Sequence, residues 1–283
     1  MLSNARTTHQ SEYLNFLGLL PAPLACYVRP MLVYRYLPAE FALLAIQEQR
    51  LRVGRIDKLN DVFECWPRIV SQKGITRDEV FRMGRQLIAD FANIWGSISY
   101  CATAESVLVW SHYGDAHRGI ALGFDLGALR EKKPGMQLCM INEIVYVEDD
   151  KRPTIAIRHL KKALSKGYDD TFDDAIFTSF LRKGKDWAYE QEYRELIPLD
   201  GCDLQGASYF SHFRPRTLRR IVLGARCSID ATTIYNSLEF AKHSIGRDNV
   251  IERSEIKRAY ADTNAFRITL RDAFSSKYPD LLI

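Results

Sequence analysis

Lys185-Asp-Trp-Ala-Tyr-Glu-Gln-Glu-Tyr-Arg-Glu-Leu-Ile-Pro198 is the stretch on which the fold turns. It sets a tryptophan and two tyrosines among glutamates and an arginine. Read as a strand, it places Glu190, Glu192 and Arg194 on one face and Trp187, Tyr189, Gln191 and Tyr193 on the other. Two carboxylates so placed stand ~7 Å apart, close enough to perturb each other's protonation. Read as a helix, Tyr189, Tyr193, Leu196 and Ile197 form an apolar stripe. Glu190 and Arg194 then make an i,i+4 pair worth ~0.3–0.5 kcal/mol. Periodicity alone leaves both open. The strand builds a catalytic arrangement; the helix builds a surface.

Outward from it, Met31-Leu-Val-Tyr-Arg-Tyr-Leu37 is β-branched and aromatic and stops at Pro38, so it predicts the first core strand. Arg35 is out of place there. A buried guanidinium needs an anion, either a protein carboxylate or a bound phosphate or carboxylate. Residues 39–50 carry helical spacing and 51–57 a short strand. Asn60-Asp61 is turn chemistry, able to cap an element or line a pocket mouth. Residues 65–95 read as a helix, with Thr76-Arg-Asp-Glu79 as a capping box. Residues 97–103 alternate as a strand, 105–114 read as a helix and 119–125 as a strand. His112 and His117 bracket a Gly-Asp turn beside Trp110 and Tyr113, which admits a structural or a catalytic role.

Residues 140–147 predict one further strand, 150–182 a charged helical region and 201–208 a loop. Residues 218–224 form another strand, followed by a helix near 230–244 capped by Ser228 or Asp230. The last strand falls within 255–270. Strands and helices mix without a regular βα alternation. That predicts an α+β domain with a mixed, mainly antiparallel central sheet flanked by helices. The division expected is an accessory arm over 1–30, one α+β catalytic-type domain over 31–270 and a tail over 271–283. A short helix is expected at 12–19, capped by Ser11 and ended by Pro21.

Composition narrows the function classes. The chain has 283 residues, 47% hydrophobic and 26% charged, enough for a sizeable core without metals or disulfides. A net charge of +4 permits a phosphorylated partner without requiring one. Cys26, Cys65, Cys101, Cys139, Cys202 and Cys227 are scattered without a C-x-x-C pair, as expected of reduced thiols in a cytoplasmic protein. The histidines lack metal-site spacing, so no metal is expected. Gly18, Pro21 and Pro23 interrupt the apolar N-terminal segment, which argues against a signal peptide, and no run reaches membrane-spanning length. There is no G-x-G-x-x-G, no Walker loop and no G-x-S-x-G.

Four blocks together carry a resemblance: Val33-Tyr-Arg-Tyr36, Asn60-Asp-Val-Phe-Glu64, Trp110-Ser-His-Tyr-Gly-Asp-Ala-His-Arg-Gly-Ile120 and Trp187-Ala-Tyr-Glu-Gln-Glu-Tyr-Arg194. Their order resembles the bacterial family designated domain of unknown function 2971, over about residues 31–224. Val62 stands where that family has proline. Tyr100-Cys-Ala-Thr103 stands where it has Cys-Phe-Ser, which leaves Ser99 and Thr103 as alternatives for the second-strand hydroxyl. More distantly the layout is similar to ADP-ribosyltransferases, with their split sheet, an Arg on the first strand, a hydroxyl or aromatic on the second and Glu-x-Glu on the third.

That second resemblance implies NAD as substrate and ADP-ribose transfer to a nucleic-acid or protein acceptor. The setting it implies is an effector of phage defence or of a toxin–antitoxin system, with an antitoxin or regulatory partner. Glu192, Glu190 and Arg35 would be catalytic. Arg35, Tyr36, Ser99, Tyr100, Thr103, Trp110 and Tyr113 would hold NAD, with Tyr100 or Trp110 stacked on nicotinamide. Asn60, Asp61, His112, His117, Lys185 and Arg194 would face the acceptor. The alternatives are a non-catalytic nucleic-acid-binding or regulatory module, an NAD hydrolase and a phosphodiester-cleaving enzyme. The need for Glu190, Glu192 and Arg35 to face one cleft, together with the resemblance, favours the strand for 185–198.

Overall fold

The computed structural model describes residues 31–131, 140–166, 176–245 and 251–275. In chain order the first half runs β1 (Leu32–Leu37), α1 (Ala39–Glu48), β2 (Arg50–Arg55), β3 (Arg68–Val70), α2 (Arg77–Ala92), β4 (Trp95–Cys101), α3 (Val107–Tyr113), β5 (Ile120–Asp125), α4 (Leu126–Arg130), β6 (Met140–Glu143) and β7 (Val145–Val147). The second half runs β8 (Thr154–Ala156), α5 (Ile157–Lys166), β9 (Arg182–Gly184), a 3-10 turn (Lys185–Glu190), β10 (Glu192–Pro198), β11 (Asp203–Gln205), β12 (Ser208–His212), β13 (Leu218–Leu223), α6 (Ala231–Ile245), β14 (Ile256–Ala261) and β15 (Ile268–Asp272). The expected α+β architecture is present: a mainly antiparallel open sheet flanked by helices. The expected helix at 12–19, the arm over 1–30 and residues 276–283 lie outside the described residues.

Several expected elements differ. The stretch 185–198 is neither one strand nor one helix. Its first half is the 3-10 turn, Gln191 follows in the left-handed conformation at φ 45°, and only then does β10 begin. Residues 65–76 are not helical and include β3, because the capping box starts α2 only after Thr76. Thr76 Oγ1 accepts from the Glu79 amide at 3.2 Å while the Glu79 carboxylate accepts from the Thr76 amide at 2.9 Å. Residues 140–147 break at Ile144, whose side chain is buried, into β6 and β7. The region 150–182 contains β8 as well as helix, and the expected loop at 201–208 is part of the β11–β12 hairpin. The last strand is a pair, β14 and β15.

The sheet divides at β4. Strand β10 pairs with β4 along its whole length, from Glu192↔Cys101 to Pro198↔Trp95. One edge of β4 is therefore filled, and β1 and β2 share the other. Strand β1 meets it only at Tyr34↔Cys101, and β2 only at Gly54↔Ser97 and Arg55↔Gly96. Between these contacts the edge opens at Ser99. Ser99 has the same parity as Ser97 and Cys101, so its carbonyl faces the gap. Arg35 Nη1 donates to that carbonyl at 2.9 Å. A guanidinium thus takes the place of a missing ladder bond, which accounts for an arginine inside an apolar strand.

Apolar packing secures this frame on three sides. Ile46 of α1 and Ile234 and Leu238 of α6 pack on Leu122, Phe124 and Ile221. Leu87 and Phe91 of α2 pack with Leu160, Phe180 and Leu196. Tyr34, Tyr36 and the fully buried Trp110 pack on Ala121 and Val222. Helix α3 is joined to β5 by a tight link in which Asp115, Ala116 and His117 all have positive φ, at 48°, 50° and 68°. Each such non-glycine residue costs roughly 1–2 kcal/mol. The link is held by Gly119 N donating to Gly114 O at 2.8 Å and Arg226 N donating to His117 O at 2.9 Å. A Cβ on Gly224 would lie 2.2 Å from the His117 carbonyl oxygen, so only glycine fits there.

Candidate active site

The turn at Gln191 decides the site. A 3-10 turn followed by one left-handed residue folds Glu190 back toward the strand that Glu192 starts. Both carboxylates then meet Lys183 of β9, whose Nζ donates to Glu190 Oε2 at 2.6 Å and to Glu192 Oε2 at 3.4 Å. Strand alternation puts Glu192 and Arg194 on one face, as expected. Arg194 grips Glu192 through Nε at 2.8 Å and Nη2 at 2.9 Å, in a bidentate fork. It also bonds Glu64, and its Nη1 donates to the Phe180 carbonyl at 2.8 Å. Glu64 lies 3.5 Å from Lys183 Nζ. All five side chains are buried, and Arg194 completely so.

Burial opposes ionisation of Glu192, but Arg194 and Lys183 outweigh it and hold the carboxyl below the usual range. Burial raises Glu64 despite the same two cations. Burial also disfavours the Lys183 ammonium, and Glu192, Glu64 and Glu190 more than compensate, so its pKa is raised. These shifts have opposite consequences for stability. The Glu192 contribution is present above the unfolded carboxyl value of about 4.3 and is lost as pH falls through its lower folded value. The Glu64 contribution runs the other way, fully present below about 4.3 and lost as pH rises through its higher folded value. Urea unfolding across pH 3–7 should therefore show Glu64→Gln removing the part of stability that declines on going from acid to neutral pH. An unchanged pH profile in that variant would contradict the assignment.

A cavity of about 260 Å³ opens beside the cluster. Arg35 of β1, Ser99 of β4 and Glu192 of β10 line it together, with Tyr36, Glu64, Tyr113, Lys183, Glu190 and Lys58. Glu190 Oε1 accepts from Tyr113 OH at 2.5 Å, and Asn60 Nδ2 donates to the same hydroxyl at 2.9 Å. Asn60 therefore closes one side of the mouth. Asp61 instead accepts from the Phe63 amide at 2.9 Å, in a local turn. Arg35 spends one donor on Ser99, and its Nε is buried without a partner. Desolvation lowers the pKa of Arg35, partly offset by Tyr100 and Glu192, but a guanidinium stays charged.

Of the other expected site residues, Tyr100 borders the cavity without turning its ring to it, and the rest stand elsewhere. The Tyr100 ring lies on the opposite face of β4, its hydroxyl donating to Glu195 at 2.9 Å and its ring against Phe124. Trp110 is enclosed, with Nε1 donating to Ala104 O at 2.8 Å. Neither ring has a face open for nicotinamide, a correction that follows from strand alternation for Tyr100 and from the helix core face for Trp110. Thr103 accepts from the Glu105 amide at 3.0 Å and from Tyr36 OH through its carbonyl at 2.8 Å. Ser99, lining the cavity and helping to hold Glu192 ionised, is thus the second-strand hydroxyl at the site. His112 is exposed, 3.0 Å from Tyr189 OH. His117 contacts Ser111 Oγ at 3.2 Å and stacks on Trp110. Lys185 is exposed and bonded to Glu148 at 2.5 Å. Arg194 reaches carboxylates inside the protein rather than an acceptor.

Glu64 and Lys183 were not among the residues expected at the site. Glu64 closes the Asn60-Asp-Val-Phe-Glu64 block, so the sequence does carry a signal for it. Lys183 sits in a plain basic run, Arg182-Lys-Gly-Lys185, where nothing marks it out. Cys65 is buried beside Arg194, and burial pushes its thiol up to about 12, which removes it as a nucleophile. Among the described residues no group of three or more His, Cys, Asp or Glu side chains is arranged to hold a metal ion. Nor is any helix among them long and apolar enough to cross a membrane.

Fold and site define a divided α+β sheet with an ionic cluster walling a small polar cavity. Residues 109–195 match the family described as "Protein of unknown function (DUF2971)". That match is about a third of the chain and includes Trp110, Tyr113, Lys183, Glu190, Glu192 and Arg194. Arg35, Asn60, Glu64 and Ser99 lie outside it. Comparison with curated proteins and with solved structures returned no match.

Proposed function

We propose that this protein cleaves the N-glycosidic bond of NAD and transfers ADP-ribose to a nucleic-acid or protein acceptor. One observation carries the reading: an arginine, a serine and an ionised glutamate from three strands line one cavity where the sheet divides. That bond breaks through a cationic, oxocarbenium-like sugar. A carboxylate fixed in place and held ionised stabilises such a charge without reorganising. Glu192 is so fixed by Arg194, and its remaining lone-pair positions can accept a ribose hydroxyl. The bond between the ribose carbon and the nicotinamide nitrogen breaks, its electron pair leaves with nicotinamide, and the acceptor's nucleophile bonds to that carbon. Glu190, bonded to Tyr113, takes the acceptor's proton. The cavity is below the usual 300–1,000 Å³ of a ligand pocket, so it encloses the nicotinamide–ribose end and leaves the rest of NAD at its mouth, beside Arg35 and Lys58.

The test is nicotinamide release from NAD by the purified chain, followed by a search for ADP-ribose mass on protein and RNA. Absence of NAD consumption with every acceptor class would rule the reading out. A second reading rests on the saturation of the cluster, since every carboxylate in it already has a cationic partner. In that reading the cluster is purely structural and Arg35 binds a phosphate without turnover. Salt-dependent RNA or DNA binding with NAD left intact would favour it.

A further inference from the structure

We infer that the opening between β1 and β2 is a diphosphate subsite, formed by Arg35 together with Arg52 and Lys58. This rests on the reading of the cavity as a dinucleotide site, and it names two residues outside the catalytic set. Arg52 belongs to β2, on the far side of the opening. The register Gly54↔Ser97 places Gly54, and with it Arg52, on the same sheet face as Ser97 and Ser99. Arg52 is exposed, yet close enough to Arg35 to disfavour its charge. Lys58, in the turn just after β2, lines the cavity itself.

Neither Arg52 nor Lys58 has an ion pair with a described residue, and Arg35 has none either, its Nε being buried without a partner. Of the four arginines on these strands, two are neutralised: Arg50 by Glu48 at 2.6 Å and Arg55 by Asp57 at 3.0 Å. The three unpaired cations are the ones that border the opening. Charge counting points the same way. Around the cavity, Glu64, Glu190 and Glu192 face Lys183, Arg194, Arg35, Arg52 and Lys58, which leaves two positive charges unmatched. A diphosphate bridge of two nucleosides carries two negative charges. It would satisfy the Arg35 Nε donor and quench the Arg35–Arg52 repulsion together. A nucleoside can accept from that donor but, carrying no negative charge, leaves the repulsion in place. The inferred preference is thus for a dinucleotide or nucleoside diphosphate over a nucleoside.

The experiment uses the full chain with inorganic pyrophosphate and ADP as probes, adenosine and nicotinamide riboside as uncharged-backbone controls, and calorimetry at fixed salt. Pyrophosphate and ADP should bind, with adenosine at least tenfold weaker. Arg52→Gln and Lys58→Gln, both surface changes, should each weaken ADP binding about tenfold, while Lys73→Gln, on an exposed loop elsewhere, should not. In NAD turnover the same two variants should raise KM and spare kcat. If ADP and adenosine bind equally, or if the two variants bind ADP like wild type, the subsite is wrong. NAD turnover with KM unmoved by either variant would overturn the subsite and leave the transferase reading standing. Pyrophosphate bound through Arg52 and Lys58 without NAD cleavage would do the reverse.

Discussion

Glu192→Gln should lower NAD turnover by about 10²–10³-fold, the loss typical when a preorganised electrostatic group is removed from a developing charge. The amide keeps the shape but not the charge. It also turns one acceptor oxygen into an NH₂ that faces Arg194, which needs acceptors at 2.8 and 2.9 Å. The variant should therefore lose stability as well, and activity must be read beside an unfolding curve. Ser99→Ala provides the separation. It leaves the Arg194 fork intact and should slow turnover more mildly, with little change in urea midpoint. Wild-type turnover by folded Glu192→Gln protein would remove Glu192 from the chemistry.

Arg194→Met should destabilise the fold by about 3–5 kcal/mol, because it leaves buried carboxylates without their main partner. Arg194 has no exposed surface and holds Glu192, Glu64 and the Phe180 carbonyl at once. Lysine is not a conservative replacement, since it cannot reproduce the fork. Arg194→Lys should fall between methionine and wild type. Adding Glu64→Gln to Arg194→Met should recover part of the loss, as it removes one of the stranded charges. Urea midpoints at constant slope measure this. A loss below about 1 kcal/mol, or no recovery in the double variant, would show that the cluster contributes little to stability.

The sheet strands with clear alternation or β-branched runs were legible: β1, β2, β4, β5 and β13 lie within a residue or two of their expected positions. So was α2, because a capping box is local chemistry. Residues 185–198 were not legible, since the decisive event is one left-handed glutamine, and nothing about Gln191 announces a positive φ. Of the candidate site, Arg35, Tyr36, Asn60, Ser99, Tyr100, Tyr113, Glu190 and Glu192 border one cavity. The rings of Tyr100 and Trp110 turn away from it for different reasons. Aromatic rings near a site read alike whether they face the cavity or the core, and only strand parity and burial tell them apart. Lys183 was invisible because its partners, Glu64 and the Glu190–Glu192 pair, come from two separate parts of the chain.

The link of left-handed residues after α3 acts as a splint. It fastens the end of the helix that carries Tyr113 to the ends of β5 and β13, through Gly119 and Gly224. Tyr113 is thereby set by the rigid sheet rather than by a loose loop, and the Asn60–Tyr113–Glu190 contact inherits that rigidity. A methyl group at Gly224, more than a hundred residues along the chain from Tyr113, would push on the His117 carbonyl and tilt the splint. The cavity wall is in this sense built from the back of the protein, and its alignment is only as sound as two glycines that never touch it.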